Sequence, residues 1–291
     1  MKSNPLAEIF GWPISNRTAE AERYRKNKLC RFNNKVPSCT KDKANDPLGV
    51  CSMFENGQAV ITCPIRFREE WLIAEDGARF FFDGDSPWTS IAEVRLTDND
   101  GNTAGNIDLV LVSYDSQGQV LDFGSLEIQA VYISGNIRRP FESYISFKQR
   151  PTHFEWNGPN FPKADFLSSS RKRLAPQMLY KGGILKAWGK KQAVALQTSF
   201  FRTLPKLKEV PKEEADIAWL LYDLELDKHG TRFRLTQERI VYTEFESALV
   251  QITTAKPGKV EDFIEVLQQK LDEKLEGNPP DAPTLTDITL S

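Results

Sequence analysis

Two apolar segments separated by a short turn constrain the fold of this chain more than any other feature. The first is residues 107–112 (IDLVLV) and the second is residues 126–131 (LEIQAV). Nearly unbroken apolar runs of this kind are typical of strands buried on both faces of a sheet. Residues 114–118 (YDSQG), between them, have turn composition and hairpin length. The sequence therefore predicts a hairpin of buried strands.

Each of the two segments carries one acid, Asp108 in the first and Glu127 in the second. A hairpin places Asp108 near the far end of its partner strand, so the two carboxylates can converge. Glu127 and Gln129, two residues apart, point to the same face. Because Mg²⁺ prefers carboxylate and carbonyl oxygens, we predict that it binds Asp108, Glu127 and the backbone carbonyl of Ile128. Such an ion would activate a water for phosphodiester cleavage.

Gln129 stands where an Asp…Glu-x-Lys site more often has a lysine. A neutral amide can still orient the attacking water, but it contributes no positive charge. An acid at the end of a strand is also commonly a solvated terminus. The pattern by itself therefore leaves a nuclease site and a solvated strand end as alternatives.

The net charge of -2 conceals a strong segregation of charge along the chain. Residues 17–43 contain 9 Lys or Arg against 3 acids, and residues 138–212 contain 16 against 4. Residues 44–137 contain 4 basic residues against 15 acids, and residues 213–291 contain 8 against 17. Basic segments on both sides of an acidic centre are expected of a protein that holds a phosphate backbone over carboxylates. Solvated surface is the alternative for either basic segment alone.

The second basic segment has the composition of a nucleic-acid-binding surface. Its charges lie among Trp156, Tyr180 and Trp188, and Gly182-Gly183 would allow a close approach to a backbone. Three serines directly before Arg171 resemble the start of a helix. The candidates for DNA contact are the basic residues Arg138, Arg139, Arg171, Lys172, Arg173, Lys181, Lys190 and Lys191.

All four cysteines of the chain, Cys30, Cys39, Cys51 and Cys63, lie close together in sequence. Four thiolates suit one closed tetrahedral metal site, which would have a structural role. The spacing is unlike paired Cys-x-x-Cys knuckles, and free buried thiols and disulfides are the alternatives. Disulfides are disfavoured in a chain without a secretory signal. Sulfur ligands accommodate zinc and iron alike, so the ligand type leaves the metal open.

The N-terminus, residues 1–5 (MKSNP), is followed by no apolar segment of the signal-peptide kind. No apolar stretch approaches the ~20 residues of a membrane span. We therefore expect a soluble, cytoplasmic protein. His153 and His229 have no partner at metal-ligand spacing, and no Ser-His-Asp signature, P-loop or dinucleotide-binding glycine motif is present.

Several longer segments are more specific than the bare catalytic pattern. They are residues 19–25 (AEAERYR), Cys30 with residues 32–35 (FNNK), and residues 40–51 (TKDKANDPLGVC), 62–68 (TCPIRFR), 105–108 (GNID) and 126–132 (LEIQAVY). On these segments the chain resembles restriction endonucleases of the NotI family, from the N-terminus to beyond residue 200. The acidic C-terminal third matches only loosely.

The resemblance implies that a homodimer cuts double-stranded DNA at a palindromic, GC-rich site with the help of Mg²⁺. It places the active-site acids on Asp108 and Glu127, the family's glutamine on Gln129, and an upstream glutamate on Glu93. It also implies one iron ion held by the four cysteines.

The NotI family is similar to the wider PD-(D/E)xK nucleases, and this likeness sets the expected fold. The implied class is α/β (α+β), a PD-(D/E)xK restriction-endonuclease-like mixed sheet flanked by helices, with an N-terminal four-cysteine metal-binding segment. We expect residues 1–77 to form that segment and residues 78–291 to form the nuclease core with a C-terminal extension, in one continuous fold.

The secondary structure can be predicted in outline. A helix is expected at residues 18–28, and strands are expected at residues 79–82, 107–114, 120–131, 193–198, 217–226 and 239–245. Pro176 predicts a kink or the start of a second helix. A last amphipathic helix, near residues 260–275, is expected to pack its apolar side in the core, with a dimer contact as the alternative.

Three functions remain to be compared. The first is a type II site-specific restriction endonuclease, and the second is a PD-(D/E)xK nuclease of DNA repair or structure-specific cleavage. The third is a non-catalytic, metal-binding DNA regulator, against which Asp108 and Glu127 argue. Digestion of a long DNA in Mg²⁺ separates the first two, because only a site-specific enzyme gives discrete bands.

Overall fold

The structure, a computed structural model, describes residues 4–33, 36–43, 45–84 and 86–277. The described strands are β1 (Leu6–Ile9), β2 (Trp12–Pro13), β3 (Asp42–Lys43), β4 (Asp46–Pro47), β5 (Val50–Glu55), β6 (Gln58–Ile61), β7 (Trp88–Thr97), β8 (Thr103–Tyr114), β9 (Val120–Gln129), β10 (Tyr132–Ser134), β11 (Lys163–Asp165), β12 (Gln192–Gln197), β13 (Ile217–Leu226) and β14 (Phe233–Thr243). The described α-helices are α1 (Ala19–Lys26), α2 (Leu72–Phe81), α3 (Arg138–Ser146), α4 (Phe166–Ser169), α5 (Ala175–Gln177), α6 (Gly183–Ala187), α7 (Thr198–Phe201), α8 (Phe245–Thr253) and α9 (Val260–Gly277).

A six-stranded mixed sheet with the order β14-β13-β12-β9-β8-β7 forms the centre of the fold. Its middle strands β9, β12 and β13 run parallel to one another, whereas β7, β8 and β14 are antiparallel to their neighbours. Helices flank the sheet, so the fold is a mixed α+β architecture, as predicted. The predicted hairpin is β8 and β9, which pair from Leu109 opposite Leu126 to Tyr114 opposite Val120.

Each face of the sheet carries its own hydrophobic core, which explains why the central strands have apolar residues on both sides. One core contains Leu109, Leu111, Leu126 and Ile128 of the hairpin together with residues of α2. Contact there is close: a side chain at Gly124 would meet the ring of Phe81 at 2.4 Å. The glycine therefore lets α2 lie directly against β9.

The opposite face is covered in part by one long helix over residues 166–187, here called the composite helix. It consists of α4, a π-helical segment (Ser170–Leu174), α5, a second π-helical segment (Met178–Gly182) and α6, which follow one another without a break. Leu174 and Met178 pack in the second core with Val194 of β12. The helix was predicted to start at the three serines before Arg171, but it starts a few residues earlier. Asp165 caps it by accepting from the backbone N–H of Ser168.

A four-stranded N-terminal sheet has the order β2-β1-β5-β6. It adjoins the first core through Ile61, which packs in the same cluster as Leu109 and Leu126. Arg66, which is fully buried, joins it to β14. Its guanidinium donates to Glu8 Oε2 at 2.9 Å, to Glu69 Oε2 at 2.9 Å and to the carbonyl of Phe233 at 3.0 Å. The predicted domain boundary at residue 77 lies inside α2.

Most predicted elements agree with the structure. The predicted helix at residues 18–28 is α1, with the Thr18 hydroxyl accepting from the backbone N–H of Ala21. The predicted strand at residues 79–82 is wrong, because residues 79–81 are the last turn of α2. Arg-Phe-Phe-Phe is a short apolar run, and such runs do not distinguish strand from helix. The helix is set by Ile73, Ala74 and Phe80, which bury one helical face.

The described residues divide into two compact units, one ending at Thr253 and the other beginning at Thr254. The second unit contains α9. Within this unit the apolar side chains of α9, including Phe263, Leu267 and Leu271, are exposed, and their packing in a core stays a prediction. None of the described helices is long and apolar enough to cross a membrane.

Candidate active site

Three acids stand at the same level on three adjacent strands. The β8–β9 ladder ends with Leu109 opposite Leu126, so Asp108 and Glu127 face each other directly beyond it. On the other side, β7 pairs Ala92 with Leu109 and Val94 with Ile107, which places Glu93 level with Asp108. The predicted convergence of Asp108 and Glu127 therefore has a simple cause, which is the register of the hairpin.

Asp108 is held by the backbone of the neighbouring strand. Its Oδ2 accepts a hydrogen bond from the N–H of Ile128 at 2.8 Å. This contact fixes one carboxylate oxygen of Asp108 beside Glu127. The side chain is half-buried and is therefore also open to solvent.

Glu127 is almost completely buried, with 1% of its surface exposed. Burial raises the pKa of its carboxyl to about 7, and the neighbouring Asp108 adds to the rise, while the charge of Lys181 opposes it. Oε2 accepts from the ammonium of Lys181 at 2.7 Å. Oε1 is buried without a hydrogen-bond partner among the described residues. A buried carboxylate oxygen without a partner is costly, and it marks a position that a cation could occupy.

The composite helix supplies two further side chains to this site. Gln177 accepts a hydrogen bond from the side-chain amide of Gln129. Lys181 donates to Glu127 and also to the carbonyl of Asn106 at 2.8 Å. The site therefore lies where the sheet meets the composite helix, and it combines two acids, two amides and one ammonium.

Glu93 differs from the other two acids in its backbone. It has a φ of 56°, in the left-handed region that non-glycine residues seldom adopt. The residue is exposed and interrupts the regular pairing of β7 with β8. Strained backbone of this kind clusters at functional sites, and here it lies directly across from Asp108.

The cysteines are brought together by two antiparallel contacts. Cys30 and Cys39 flank a bridge between Leu29 and Ser38, and their backbone N–H groups donate to the carbonyls of Pro37 and Lys28. Cys51 lies at the start of β5 and Cys63 lies two residues beyond the end of β6, and the N–H of Thr62 donates to the carbonyl of Cys51.

All four cysteines are free, and burial is the main reason that the pKa values of the Cys30, Cys39 and Cys51 thiols are raised. Burial raises the pKa of the Cys39 thiol to about 11, and the charges of Cys63 and Cys30 add to the rise. Burial also raises the pKa of Cys51, with further contributions from the other three cysteines. Four sulfur donors that repel one another as thiolates have the chemistry of a site for a soft cation. Within the described residues, however, no three His, Cys, Asp or Glu side chains have the arrangement of a metal site.

A comparison with protein families identifies the chain. Residues 14–235 match the family model described as restriction endonuclease NotI. The chain belongs to the NotI restriction endonuclease family. The matched range contains the four cysteines and the three acids Glu93, Asp108 and Glu127. No individually curated protein matches the chain at a significant level.

Membership of the NotI family makes this protein a DNA-cleaving hydrolase of the site-specific restriction type. Its exposed basic residues are therefore candidates for contact with DNA. Arg139, Arg171, Lys172 and Arg173 are exposed, and within the described ranges none of them forms an ion pair. Arg173 lies over the ring of Tyr132 at 5.3 Å. These four side chains remain candidates for contact with the phosphate backbone.

The other predicted DNA contacts are engaged within the protein. Arg138 pairs with Asp42 at 2.6 Å and Asp46 at 2.7 Å. Lys190 pairs with Asp122 at 2.6 Å, and Lys191 donates to the carbonyl of Phe80 at 3.4 Å. Lys181 lies in the interior beside Glu127. These contacts compete with any role in binding the DNA backbone.

Sequence reasoning missed Gln177 and assigned Lys181 to the surface. The contact between Lys181 and Glu127 spans 54 positions in sequence, and no local pattern reports it. A weaker signal was present in Gln177 and Lys181, which are four residues apart and therefore share one face of a helix. Gly182 is a second signal, because a glycine inside a helix often marks close packing. A side chain there would meet the ring of Phe245 at 2.5 Å.

Proposed function

We propose that this member of the NotI family is a type II site-specific deoxyribonuclease that makes Mg²⁺-dependent double-strand breaks in DNA. The observation that carries the proposal is the buried Oε1 of Glu127, which has no hydrogen-bond partner in the described structure and lies beside the Asp108 carboxylate. A hard cation with carboxylate and carbonyl ligands suits this position. Asp108, Glu127 and the carbonyl of Ile128 are the ligands we propose for it.

The proposed reaction is hydrolysis of a phosphodiester. The oxygen of a water forms a bond to phosphorus, the bond from phosphorus to the leaving oxygen breaks, the water gives up a proton and the leaving oxygen gains one. Bound Mg²⁺ would supply a more acidic water and stabilise negative charge on the phosphate. Gln129, held by Gln177, would orient the water through its amide.

The cysteine cluster has a separate role in this proposal. We propose that Cys30, Cys39, Cys51 and Cys63 hold one iron ion, or zinc in its place, with their sulfur atoms. Four ligands leave no open position, so the metal would support the N-terminal fold and take no part in hydrolysis. The sulfur-only donor set and the mutual repulsion of the buried thiolates support this assignment.

The substrate and assembly complete the proposal. We propose that the enzyme acts as a homodimer on a palindromic, GC-rich site, because two copies related by a twofold axis place one active site on each strand of a palindrome. Exposed Arg139, Arg171, Lys172 and Arg173 would contact the phosphate backbone. Their freedom from internal ion pairs in the described structure favours them over Arg138 and Lys190.

A digest of a long DNA tests the proposed function. In Mg²⁺ the protein is expected to give discrete bands whose sequenced ends share one palindrome, and EDTA is expected to stop the reaction. Glu127→Gln should be inactive, whereas Asp122→Asn, a change of a partly exposed acid on the same strand β9, should cut like the wild type. A smear, or cleavage of branched DNA alone, would contradict site specificity and favour a repair nuclease.

A further inference from the structure

The active site contains an ammonium group, which the Asp…Glu-x-Gln pattern of its strands does not supply. Position 129, two residues after the catalytic glutamate, has an amide. Yet the Nζ of Lys181 lies 2.7 Å from Glu127 Oε2, and the two side chains are 3% and 2% exposed. A positive charge is therefore present at the carboxylate, but it comes from the composite helix.

The helix and the strand are matched in spacing at this point. Gln177 and Lys181 are four residues apart on the composite helix, a separation of about 6 Å along the axis of a regular α-helix. Glu127 and Gln129, two residues apart on β9, are separated by about 6.7 Å. As a result, Gln177 meets Gln129 and Lys181 meets Glu127 at the same time. Lys181 lies in a π-helical segment, a feature that is frequent at functional sites.

The ammonium retains a donor for a substrate. A lysine has three N–H donors, and Lys181 uses one for Glu127 and one for the carbonyl of Asn106. No third acceptor is present among the described residues. Because Lys181 occupies Oε2 and leaves Oε1 of Glu127 free, the lysine and a cation can bind the same carboxylate together.

We propose that Lys181 is a catalytic residue, whose third N–H contacts a non-bridging oxygen of the scissile phosphate. The inference rests on the proposed function of Asp108 and Glu127 as a phosphodiester-hydrolysing centre. Lys181 transfers no proton in this step, in which the water attacks phosphorus and the leaving oxygen departs. Its charge stabilises the negative charge that grows on the phosphate, from the composite helix rather than from position 129.

Two other roles for Lys181 make different predictions. A lysine that only tracks the DNA backbone should be exposed, whereas the Lys181 side chain is 3% exposed. A lysine that only completes a buried ion pair should affect the free energy of unfolding and leave the chemical step unchanged. Cleavage rate and DNA affinity must therefore be measured separately from stability.

The first test is Lys181→Met, which removes the charge and keeps the length of the side chain. We expect single-turnover cleavage in Mg²⁺ to fall by about 100-fold or more, the effect of removing one transition-state donor. DNA binding in Ca²⁺ should stay within about threefold of the wild type. The matched control is Lys186→Met, which removes another ion-paired lysine of the same helix, bound to Asp216, and should cut normally.

The second test moves the charge to the strand. Adding Gln129→Lys to Lys181→Met restores an ammonium two residues after Glu127, and we expect it to recover at least about tenfold of the lost cleavage rate. If Lys181→Met lost cleavage and Gln129→Lys restored none of it, the charge would not be the contribution of Lys181 and the proposal would be wrong.

A third test needs no metal and no cleavage. In EDTA the acids Asp108 and Glu127 repel the phosphate, and Lys181 offsets part of that charge. Lys181→Met should therefore weaken DNA binding in EDTA, by about tenfold, and adding Glu127→Gln should restore it. Unchanged binding of Lys181→Met in EDTA would contradict contact of the ammonium with DNA.

The outcomes separate this proposal from the function on which it rests. A wild-type protein that cuts no DNA would overturn the nuclease assignment, whereas wild-type cutting with an equally active Lys181→Met would overturn the role of Lys181 alone. Should Lys181→Met fail to fold, Lys181→Gln keeps a donor for the Asn106 carbonyl, and the same reduction in cleavage is expected of it.

Discussion

Two buried ion pairs of this protein look alike and differ in one respect. Arg66 is bound by Glu8, by Glu69 and by the carbonyl of Phe233, while Glu8 also accepts from the Ser52 hydroxyl at 2.8 Å. In the second pair, Lys181 has an unused donor and Glu127 an oxygen without a partner in the described structure. The first pair is satisfied by the protein, and the second is completed only by something that binds to it.

The difference indicates which pair serves structure and which serves function. A satisfied buried network holds elements together, and removing one member leaves an uncompensated charge. An unsatisfied pair contributes less to stability but presents groups to a ligand without prior rearrangement. The distinction leads to four testable expectations, given in order of decreasing effect.

The largest effect is expected for Asp108→Asn. Losing a carboxylate ligand should reduce cleavage by about a thousandfold, because a metal supplies several kcal/mol of transition-state stabilisation. The free energy of unfolding should change little, since Asp108 makes one backbone contact. Single-turnover kinetics and chemical denaturation measure the two quantities. A variant that cuts at the wild-type rate would remove Asp108 from the active site.

The second expectation concerns the cysteine cluster, whose four sulfur atoms are proposed to be completed by a soft cation. Metal binding is worth roughly 10–16 kcal/mol in small metal-folded peptides, so Cys51→Ser should lower the melting temperature sharply, with loss of cleavage as a consequence. Elemental analysis should find about one iron or zinc per chain that survives EDTA. A metal-free protein with four titratable thiols and full activity would show that the cysteines are ordinary core residues.

A smaller effect, about fivefold, is expected of pH on cation binding. The folded-state pKa of Glu127, about 7, lies above its ordinary value of 4.5. In metal-free protein its contribution to stability is therefore present below pH 4.5 and is lost as the pH rises through 7. A cation binds the ionised carboxylate, so Ca²⁺ affinity should fall about fivefold between pH 7 and pH 6. Calorimetry checks this, with Glu127→Gln as the control that should bind weakly at both values.

The smallest effect concerns DNA contacts outside the acid site. Replacing Arg171 and Lys172 with Ala should weaken binding to all sequences alike and reduce the salt slope by about one unit for each lost phosphate contact. Arg138→Ala, whose side chain is already paired with Asp42 and Asp46, should change the slope less. A change in site preference alone would instead place Arg171 or Lys172 at a base edge.

The parts of the site that could be predicted from sequence are those set by local pattern. Alternating and continuous apolar runs gave β8 and β9, and the period of a strand placed Glu127 and Gln129 on one face. The contribution of Lys181 and Gln177 depends on how a helix lies over the sheet, which no spacing near Glu127 encodes. Sequence pattern also predicted that the stripe of Phe263 and Leu267 packs in a core, but periodicity shows only that a face is apolar and not what covers it.

The most direct test compares the two ion pairs in one experiment. Glu8→Gln and Glu127→Gln are measured for the free energy of unfolding and for single-turnover cleavage per folded molecule. Glu8→Gln is expected to cost about 3 kcal/mol or more of stability and to leave cleavage per folded molecule unchanged. Glu127→Gln is expected to abolish cleavage and to cost less stability than Glu8→Gln, because burial already opposes the ionised carboxylate and the amide oxygen can still accept from Lys181. If both variants lost stability alike, or if Glu127→Gln still cut DNA, the distinction between the satisfied and the unsatisfied pair would be wrong.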